Sequence, residues 1–273
     1  MFSLQCPVCG APLGQAERTL RCENRHSFDL ARQGYVNLLL SNKSSAKRHG
    51  DDKAMVLSRQ AFLEKGNYAP LREALCRLAL EHTQGDVTML DVGCGEGWYT
   101  AGVKAALEGA GRVCRACGLD ISKDALIQAA KRRAGLDLVV GSVNALPVPD
   151  GTCTLLLNVF APHDDAEFRR VLVPGGVLLK AVPLENHLME LKAAVYDRPY
   201  ENPPAAYAPA GFETLALETV RYRLALDNPG DIQALFQMTP YYYKTGRDDQ
   251  EKLRRLRALN TRVEFGVFAL RRL

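Results

Sequence analysis

The chain has 273 residues, of which 47% are hydrophobic and 24% are charged, a composition typical of a folded globular protein. No apolar run approaches the roughly 20 residues that a membrane-spanning helix needs, and the first residues lack the basic and apolar regions of a signal peptide. We therefore expect a cytoplasmic protein with no membrane partner, long enough for one α/β core and an appendage.

The positive charge is concentrated near the start of the chain. The net charge is +4, and the first 50 residues, with seven Lys and Arg and three acidic residues, carry all of it. Such a segment is suited to contact the phosphates of a nucleic acid. A solvated polar surface explains the same distribution, so charge alone leaves both interpretations open.

Four residues within the first 26 have the spacing of a zinc site. Cys6-x₂-Cys9 is followed, after twelve residues, by Cys22-x₃-His26. Three thiolates and one imidazole complete a tetrahedron and leave no position for water, which predicts a structural zinc ion. Two independent pairs of buried thiols are the alternative. Cys114-x₂-Cys117 lies in a predicted strand, where burial explains it better than metal binding.

The segment after these four residues contains a polar stretch followed by a stretch with helical periodicity. Residues 41–53 are polar, basic and poor in apolar residues, which predicts a linker or mobile loop. Apolar residues between 54 and 82 recur at helical spacing, with breaks near Gly66 and Pro70, which predicts helices separated at those residues.

Strands and helices then alternate. We predict strands at 87–93, 113–120, 136–142, 152–160 and 177–183, with helices after the first and second and a short helix near 164–171. Segments near 212–226 and 261–271 read as a closing pair of strands. This alternation predicts an α/β fold with a parallel, doubly wound sheet.

A glycine-rich turn follows the first strand and opens a helix. Gly93, Gly95 and Gly97 permit a tight turn and a close approach of the backbone to a ligand at the helix N-terminus. Nicotinamide and flavin proteins use the same geometry, so the glycines alone are weak evidence. Asp91 precedes them, where a carboxylate can orient a cationic amino-acid group. Asp120 ends the second strand, where a carboxylate can accept both hydroxyls of a ribose.

Four segments together resemble the class I S-adenosylmethionine methyltransferases: LDVGCGEG (90–97), GLDIS (118–122), ALPVPDG (145–151) and LVPGG (172–176). The resemblance implies S-adenosylmethionine as cofactor, with Gly93 and Gly95 at its methionine end and Asp120 at its ribose. It also implies that Asn144 lies against the adenine, and we assign Tyr68 to the cofactor site on the same basis.

Some of these cofactor assignments have structural alternatives. Many family members carry Asp where this chain has Ser142, which makes the adenine contact of the 142–144 turn less specific. Asp91 has the alternative role of a helix-capping acid, and Asn144 that of an ordinary turn residue.

Four longer stretches closely resemble the bacterial large-subunit rRNA (guanine-N1)-methyltransferases. They lie within 6–39 (CPVCGAPL…CENRHSFDLARQGYVNLL), at 50–71 (GDDKAMVLSRQAFLEKGNYAPL), at 186–192 (NHLMELK) and at 235–244 (LFQMTPYYYK). The resemblance implies methylation of a guanine N1 in a 23S rRNA hairpin, recognised with help from the zinc module. Some members of the family confer macrolide resistance. We therefore expect a zinc-binding RNA-recognition module at 1–40, a linker and helical segment over the active site at 41–82, and a methyltransferase domain at 83–273.

The turn after the fourth strand departs from the family. Family members often have Phe or Tyr, Ala, Pro and Cys there, whereas this chain has Phe160, Ala161, Pro162 and His163. The turn lies at the carboxyl end of a central strand, where doubly wound proteins place their chemistry. His163 is therefore a candidate for contact with the target base, and a polar loop residue is the alternative.

Methylation of guanine N1 requires loss of its proton and access to the Watson–Crick edge of the base. Phe160 is the first candidate for stacking on a flipped base, and Tyr241–Tyr243 are the second, with packing in a strand as their alternative. Asp51, Asp52 and His187 are candidate general bases, and no residue among them stands out.

Two other functions stay open from sequence. One is methylation of a small molecule, with the zinc module purely structural. The other is a zinc-dependent RNA-binding protein whose catalytic core has decayed, although the intact DVGCGEG turn and Asp120 argue against it. Sequence leaves monomer and homodimer equally open.

Overall fold

The first residues form short strands and turns around the cysteine cluster. β1 (Gly14–Ala16), β2 (Thr19–Arg21) and β3 (Ser27–Asp29) make a small antiparallel sheet, and β4 (Tyr35–Asn37) leaves it to join the large sheet. The computed structural model describes residues 1–40, 50–204 and 206–273. Most of the linker expected at 41–53 therefore lies outside the described residues.

Two helices follow, and they separate where the sequence predicts. α1 (Lys53–Glu64) begins after Asp52, whose side chain caps it, and α2 (Ala69–His82) begins with a proline in its first turn. Gly66 sits between them with a φ of +76°, a left-handed conformation that costs glycine little. The expected break near Gly66 and Pro70 is confirmed.

The large sheet is built by alternation of strands and helices. In chain order these are β5 (Val87–Val92), α3 (Trp98–Gly109), β6 (Cys114–Asp120), α4 (Lys123–Lys131), β7 (Asp137–Val140), β8 (Cys153–Val159), α5 (Asp165–Val171) and β9 (Leu172–Pro183). These strands pair in parallel. Their apolar runs are buried, as helices on both faces of a parallel sheet require. The predicted doubly wound fold is confirmed.

The last third closes the sheet. Its elements are α6 (Met189–Val195), β10 (Phe212–Leu226), α7 (Pro229–Gln237), α8 (Tyr241–Lys244), α9 (Arg247–Arg254) and β11 (Leu259–Arg272). β11 lies antiparallel between β9 and β10, and the strand order is β10-β11-β9-β8-β5-β6-β7-β4. The closing pair of strands is confirmed. The strand environment suggested for Tyr241–Tyr243 is wrong, because these residues form the short helix α8 after a proline that starts it.

The N-terminal module shares its core with the large sheet. Phe2, Leu4 and Leu20 are buried in one cluster with residues of β5 and β8, and burial of each such side chain contributes roughly 1.5–3 kcal/mol. The backbone N–H of Phe2 also donates to Asp137 Oδ2 at 2.6 Å. The expected boundary at residue 40 therefore does not separate two hydrophobic cores, and the three-part division stays a prediction.

In the described part of the chain, no helix combines the length and apolar character required to cross a membrane.

Candidate active site and metal centre

The four predicted zinc ligands converge. Sγ of Cys6 lies 3.5 Å and Sγ of Cys22 lies 3.4 Å from Nδ1 of His26, and Sγ of Cys9 lies 3.8 Å from Sγ of Cys22. All four ligand atoms lie within 4.8 Å of one another. Ideal tetrahedral zinc gives edges of about 3.8 Å between two sulfurs and about 3.6 Å between sulfur and nitrogen. The residues present therefore fit zinc.

One ligand of this cluster, Cys9, is shifted toward its thiolate form, whereas burial raises the pKa of Cys6. Asn24 Nδ2 donates to Cys9 Sγ at 3.4 Å, and this hydrogen bond is the main reason that the pKa of Cys9 is lowered to about 6. A thiolate is the form that binds metal. Cys114 and Cys117 are buried in β6, and their structural role stays a prediction.

Asp120 organises the glycine-rich turn at 93–97, hereafter the cofactor turn. Its Oδ2 accepts a hydrogen bond from the backbone N–H of Gly95 at 2.8 Å, and its Oδ1 accepts one from Ser122 at 2.8 Å. These bonds fix the plane of the carboxylate while each oxygen keeps a lone pair. Burial raises the pKa of Asp120, and the two backbone donors oppose that rise. Its geometry fits a ligand with two adjacent hydroxyls.

Asp91 is a buried carboxylate with one oxygen left without a partner. It is 1% exposed, its Oδ2 accepts from Thr100 Oγ1 at 2.5 Å, and its Oδ1 has no hydrogen-bond partner among the described residues. Burial raises its pKa to about 7. The helix-capping alternative is wrong, because Gly97 is the N-cap of α3. An ammonium group at Oδ1 would satisfy the orphaned atom, so Asp91 fits the methionine end of the cofactor.

Arg59 is a site residue that the sequence analysis missed. It extends from α1 to the cofactor turn, where a Cβ added to Gly95 would lie 3.7 Å from its Nη1. The same Nη1 pairs with Asp51 Oδ2 at 2.5 Å, and its Nη2 donates to the carbonyl of Met238. Asp51 in turn accepts a hydrogen bond from Ser122 through its carbonyl oxygen at 2.8 Å. These contacts bring the start of α1 over the carboxyl end of β6, which no local pattern in the sequence indicates.

The two other cofactor candidates have different settings. Asn144 is exposed, in a turn held by a hydrogen bond from its backbone N–H to Ser142 Oγ at 3.3 Å. Tyr68 is buried, and its ring packs edge-on against Phe265 and His187. In the part of the chain that the structure describes, its hydroxyl has no hydrogen-bond partner. Tyr68 is thus assembled with the aromatic cluster beneath the 160–163 turn, and its cofactor role stays a prediction.

Phe160 begins the turn at 160–163, hereafter the Phe160 turn, in a strained conformation. Its φ is +55°, which costs a non-glycine residue about 1–3 kcal/mol and is found mainly at functional sites. Its ring is 44% exposed, with its centroid 5.1 Å from that of Phe265 and 6.5 Å from that of Tyr99. A large aromatic face is therefore presented to solvent at the carboxyl end of β8.

The candidate bases are engaged to different degrees. His187 is buried, its Nδ1 accepts a hydrogen bond from the backbone N–H of Glu264 at 3.2 Å, and burial lowers its pKa to about 3. Its Nδ1 is therefore occupied, which makes it a poor proton acceptor. Asp52 caps α1 and accepts from the hydroxyl of Tyr243 at 2.9 Å. His163 is exposed on the Phe160 turn, with its ring 5.3 Å from that of Tyr207.

Two family models match separate parts of the chain. Residues 4–47 match the model described as "RlmA, N-terminal", and residues 89–176 match "Methyltransferase domain". The first match contains the four converging ligands, and the second contains the cofactor turn and Asp120.

Curated relatives extend the similarity beyond these models. The chain is 40% identical over 233 residues to the 23S rRNA (guanine(748)-N(1))-methyltransferase of Streptomyces fradiae, a match that covers 82% of this chain and 80% of the relative. It is 31% identical over 275 residues to a Bacillus subtilis (strain 168) protein named "Putative 23S rRNA (guanine-N(1)-)-methyltransferase YxjB", covering 97% and 96%. Among solved structures, the YcgJ protein of Bacillus subtilis is 13% identical, with a TM-score of 0.48 and coverage of 74% and 97%.

Proposed function

Because the chain belongs to the family of 23S rRNA (guanine-N1)-methyltransferases, we propose that it methylates N1 of one guanine in a hairpin of that rRNA. The fold is that of an S-adenosylmethionine-dependent methyltransferase, and Cys6, Cys9, Cys22 and His26 hold a structural zinc ion. The observation that carries the proposal is the contact between the turn of the strained, exposed Phe160 and the cofactor turn, where a Cβ on Gly93 would lie 2.3 Å from the Cβ of Ala161.

The cofactor would be held by three charged side chains. Bound S-adenosylmethionine supplies a methyl group on a positively charged sulfur. Asp91 would accept a hydrogen bond from its ammonium group at the orphaned Oδ1, and Asp120 would accept hydrogen bonds from its ribose hydroxyls. Arg59 is a cation beside the cofactor turn and would bind the carboxylate. Asn144 and Tyr68 complete the proposed set, Asn144 beside the adenine.

The target base must leave its stack, because N1 lies on the Watson–Crick edge. Phe160 presents a ring on which the flipped guanine stacks, a contact worth about 1–3 kcal/mol. His163 is the candidate proton acceptor, since its imidazole is exposed on the same turn. Proton transfer to solvent is the alternative. The main role of Phe160 and the cofactor-binding residues would be to position guanine N1 in line with the methyl group.

We also propose that the zinc module binds RNA. Arg21, Arg25 and Arg32 are exposed on it, and none of them has an ion-pair partner within 4.0 Å in the ranges that the structure describes. Free guanidinium groups of this kind bind phosphates and make affinity depend on salt. Replacing all three with Gln should weaken rRNA binding and flatten its salt dependence, while S-adenosylmethionine affinity stays unchanged.

Three finer expectations accompany this function. Since its proposed substrate is ribosomal RNA, we expect the protein to act in the cytoplasm. Macrolide resistance is tested by growth of a sensitive bacterium that expresses the chain. A homodimer is tested by the mass of the purified protein in solution.

The decisive experiment is methylation of unmodified 23S rRNA by the purified protein, mapped by reverse transcription. A methyl group on N1 blocks base pairing, so we expect one stop at a hairpin guanine that depends on S-adenosylmethionine. Asp120→Ala should abolish the stop. The matched control is Asp86→Asn, because Asp86 lies at the amino end of β5, the opposite end from the cofactor turn. Cofactor binding without methylation of rRNA or ribosomal particles would contradict the proposal.

A further inference from the structure

A buried lysine stands behind the Phe160 turn. Lys180 on β9 is 4% exposed, and among the described residues no carboxylate lies within 4.0 Å of its Nζ. Burial lowers its pKa to about 8, and Asp165 opposes this change. A buried ammonium without an ion-pair partner is unfavourable for folding. The hydrogen bond that Lys180 makes indicates a role beyond filling space.

Lys180 fixes the orientation of a buried amide. Its Nζ donates to Asn158 Oδ1 at 2.7 Å. Because an ammonium only donates, Oδ1 must face it, and the amide nitrogen must point the other way. That nitrogen donates to the carbonyl of Val92 at 3.1 Å and to the carbonyl of Pro162 at 3.0 Å. Val92 precedes the cofactor turn and Pro162 belongs to the Phe160 turn, so one oriented amide joins the two turns.

The other side of Lys180 contacts the same turn through an aromatic ring. Its Nζ lies 4.7 Å from the centroid of the Tyr207 ring, a distance at which the ring face stabilises a cation. Tyr207 donates its hydroxyl to Asp165 at 2.5 Å and packs edge-on against His163. Lys180 therefore contacts the Phe160 turn by two routes. One runs through Asn158 to Pro162, and the other runs through Tyr207 to His163.

The contacts of Lys180 and Asn158 support the Phe160 turn, which is strained and lies in close contact with the cofactor turn. Phe160 has its positive φ, and its backbone N–H donates to the carbonyl of Ala181 at 3.1 Å. A Cβ on Gly93 would lie 2.3 Å from the Cβ of Ala161, so the two turns already touch. Small displacements of the Phe160 turn would therefore change the space between the cofactor and the target base.

We propose that Lys180, through Asn158, is a positioning residue that holds the Phe160 turn against the cofactor turn and so sets the alignment of the target guanine with the methyl donor. This inference rests on the proposed function for its consequence in catalysis. Its structural part concerns the chain alone and is measured without RNA.

The test compares Lys180→Met with Lys180→Gln. Methionine fills the space but donates no hydrogen bond, whereas glutamine keeps a neutral N–H donor. For Lys180→Met we expect kcat on saturating 23S rRNA to fall about 10- to 100-fold, the effect of a misplacement of roughly 1 Å. The dissociation constant for S-adenosylmethionine, measured by calorimetry, should stay within about threefold, because Asp91 and Asp120 are untouched. Lys180→Gln should recover most of kcat.

Hydrogen exchange gives the readout that needs no substrate. In Lys180→Met, the amide of Phe160 should exchange faster than in the wild type, and in Lys180→Gln it should not. Lys192→Met is the matched control: Lys192 is also buried, but its Nζ bonds Tyr200 and Asn202 instead. Asn158→Leu should reproduce the loss, and its combination with Lys180→Met should cost little more than either change alone.

Wild-type kcat and exchange in Lys180→Met would overturn the inference, as would additive losses in the double variant. Loss of kcat with unchanged exchange at Phe160 would also overturn it. Thermal unfolding of each variant identifies a protein that fails to fold. If Lys180→Met fails to fold, kcat and exchange at Phe160 are compared between Asn158→Leu and the wild type instead. Inactivity of the wild type on 23S rRNA would overturn the proposed function, and the exchange comparison would still decide the inference.

Discussion

Gly93 and Ala161 are in such close contact that no side chain fits at residue 93: a Cβ there would lie 2.3 Å from the Cβ of Ala161. The contact joins the cofactor turn to the Phe160 turn without an intervening side chain. Gly93 also has a φ of +80°, which favours glycine. Two independent reasons thus exclude any other residue from this position.

Gly93→Ala should therefore reduce cofactor affinity by at least about tenfold, because the new methyl group displaces the cofactor turn itself in addition to straining its backbone. Calorimetry with S-adenosylmethionine measures the effect. Gly111→Ala is the matched control, since Gly111 has a φ of +78° but nothing within 4 Å of its Cβ position. It should lose about 1 kcal/mol of stability and keep its cofactor affinity. Equal affinity in both variants would contradict the role assigned to the contact.

Cofactor binding should weaken as the pH falls through 7. Burial raises the pKa of Asp91 to about 7, and an ammonium partner favours its charged form, so binding below that pH must release a proton. The carboxylate is charged above its pKa, and the α-amino group of the cofactor is charged only below its own pKa of about 8, so the affinity should be highest between pH 7 and pH 8. Between pH 7.5 and pH 6 the dissociation constant should rise roughly sixfold. Asp91→Asn should bind weakly with a flat profile, and a profile unchanged by this substitution would refute the assignment.

Arg59 should distinguish cofactors by their carboxylate. Arg59→Met should weaken binding of S-adenosylmethionine about 10- to 100-fold, the value of a charge-assisted hydrogen bond. It should leave binding of decarboxylated S-adenosylmethionine unchanged. Asp51→Asn should strengthen binding of the carboxylate form, because it removes the ion pair that engages Arg59 at 2.5 Å.

The matched control for Arg59 is Arg72→Met. Arg72 stacks over the ring of Trp98 at 3.9 Å and does not contact the cofactor turn in the structure. An equal loss with both cofactors in Arg59→Met would show that Arg59 acts on packing and not on the carboxylate.

Two substitutions of Phe160 distinguish the contribution of its ring to activity from the cost of its backbone conformation to stability. Phe160→Gly and Phe160→Ala both remove the ring, so both should lower kcat/KM on 23S rRNA by about 10- to 100-fold. Glycine adopts the φ of +55° without strain, so Phe160→Gly should be about 1 kcal/mol more stable to denaturant than Phe160→Ala. Phe160→Trp should retain activity. Full activity of the alanine variant would remove the stacking role.

Removal of zinc should affect RNA methylation more than cofactor binding. The ligands lie in the N-terminal module, whereas Asp91 and Asp120 lie on β5 and β6. A chelator, or Cys22→Ala, should lower the midpoint of thermal unfolding and abolish methylation. The affinity for S-adenosylmethionine should change by less than about threefold. Cys114→Ser should keep its zinc, and loss of metal from that variant would question the ligand set.

Local patterns predicted much of the fold. β5, the cofactor turn and Asp120 follow from apolar runs, glycines and charged residues that stand next to one another in the chain. Arg59 and Lys180 could not be found this way, because their roles depend on partners that folding brings together. In the sequence, Lys180 is a polar residue within an apolar strand. Its proposed role follows only from its hydrogen bond to Asn158, which orients that side chain. The positive φ of Phe160 is likewise a product of the assembled turn.

The short strand β4 covers one margin of the large sheet, which affects the solubility of the protein. It pairs with β7, which would otherwise present a row of open backbone donors and acceptors at the margin of the large sheet. Exposed margins of this kind recruit strands from other molecules and start aggregation. Because β4 covers β7 and follows the zinc ligands in the chain, we expect loss of zinc to expose this margin of the sheet and to promote association between molecules.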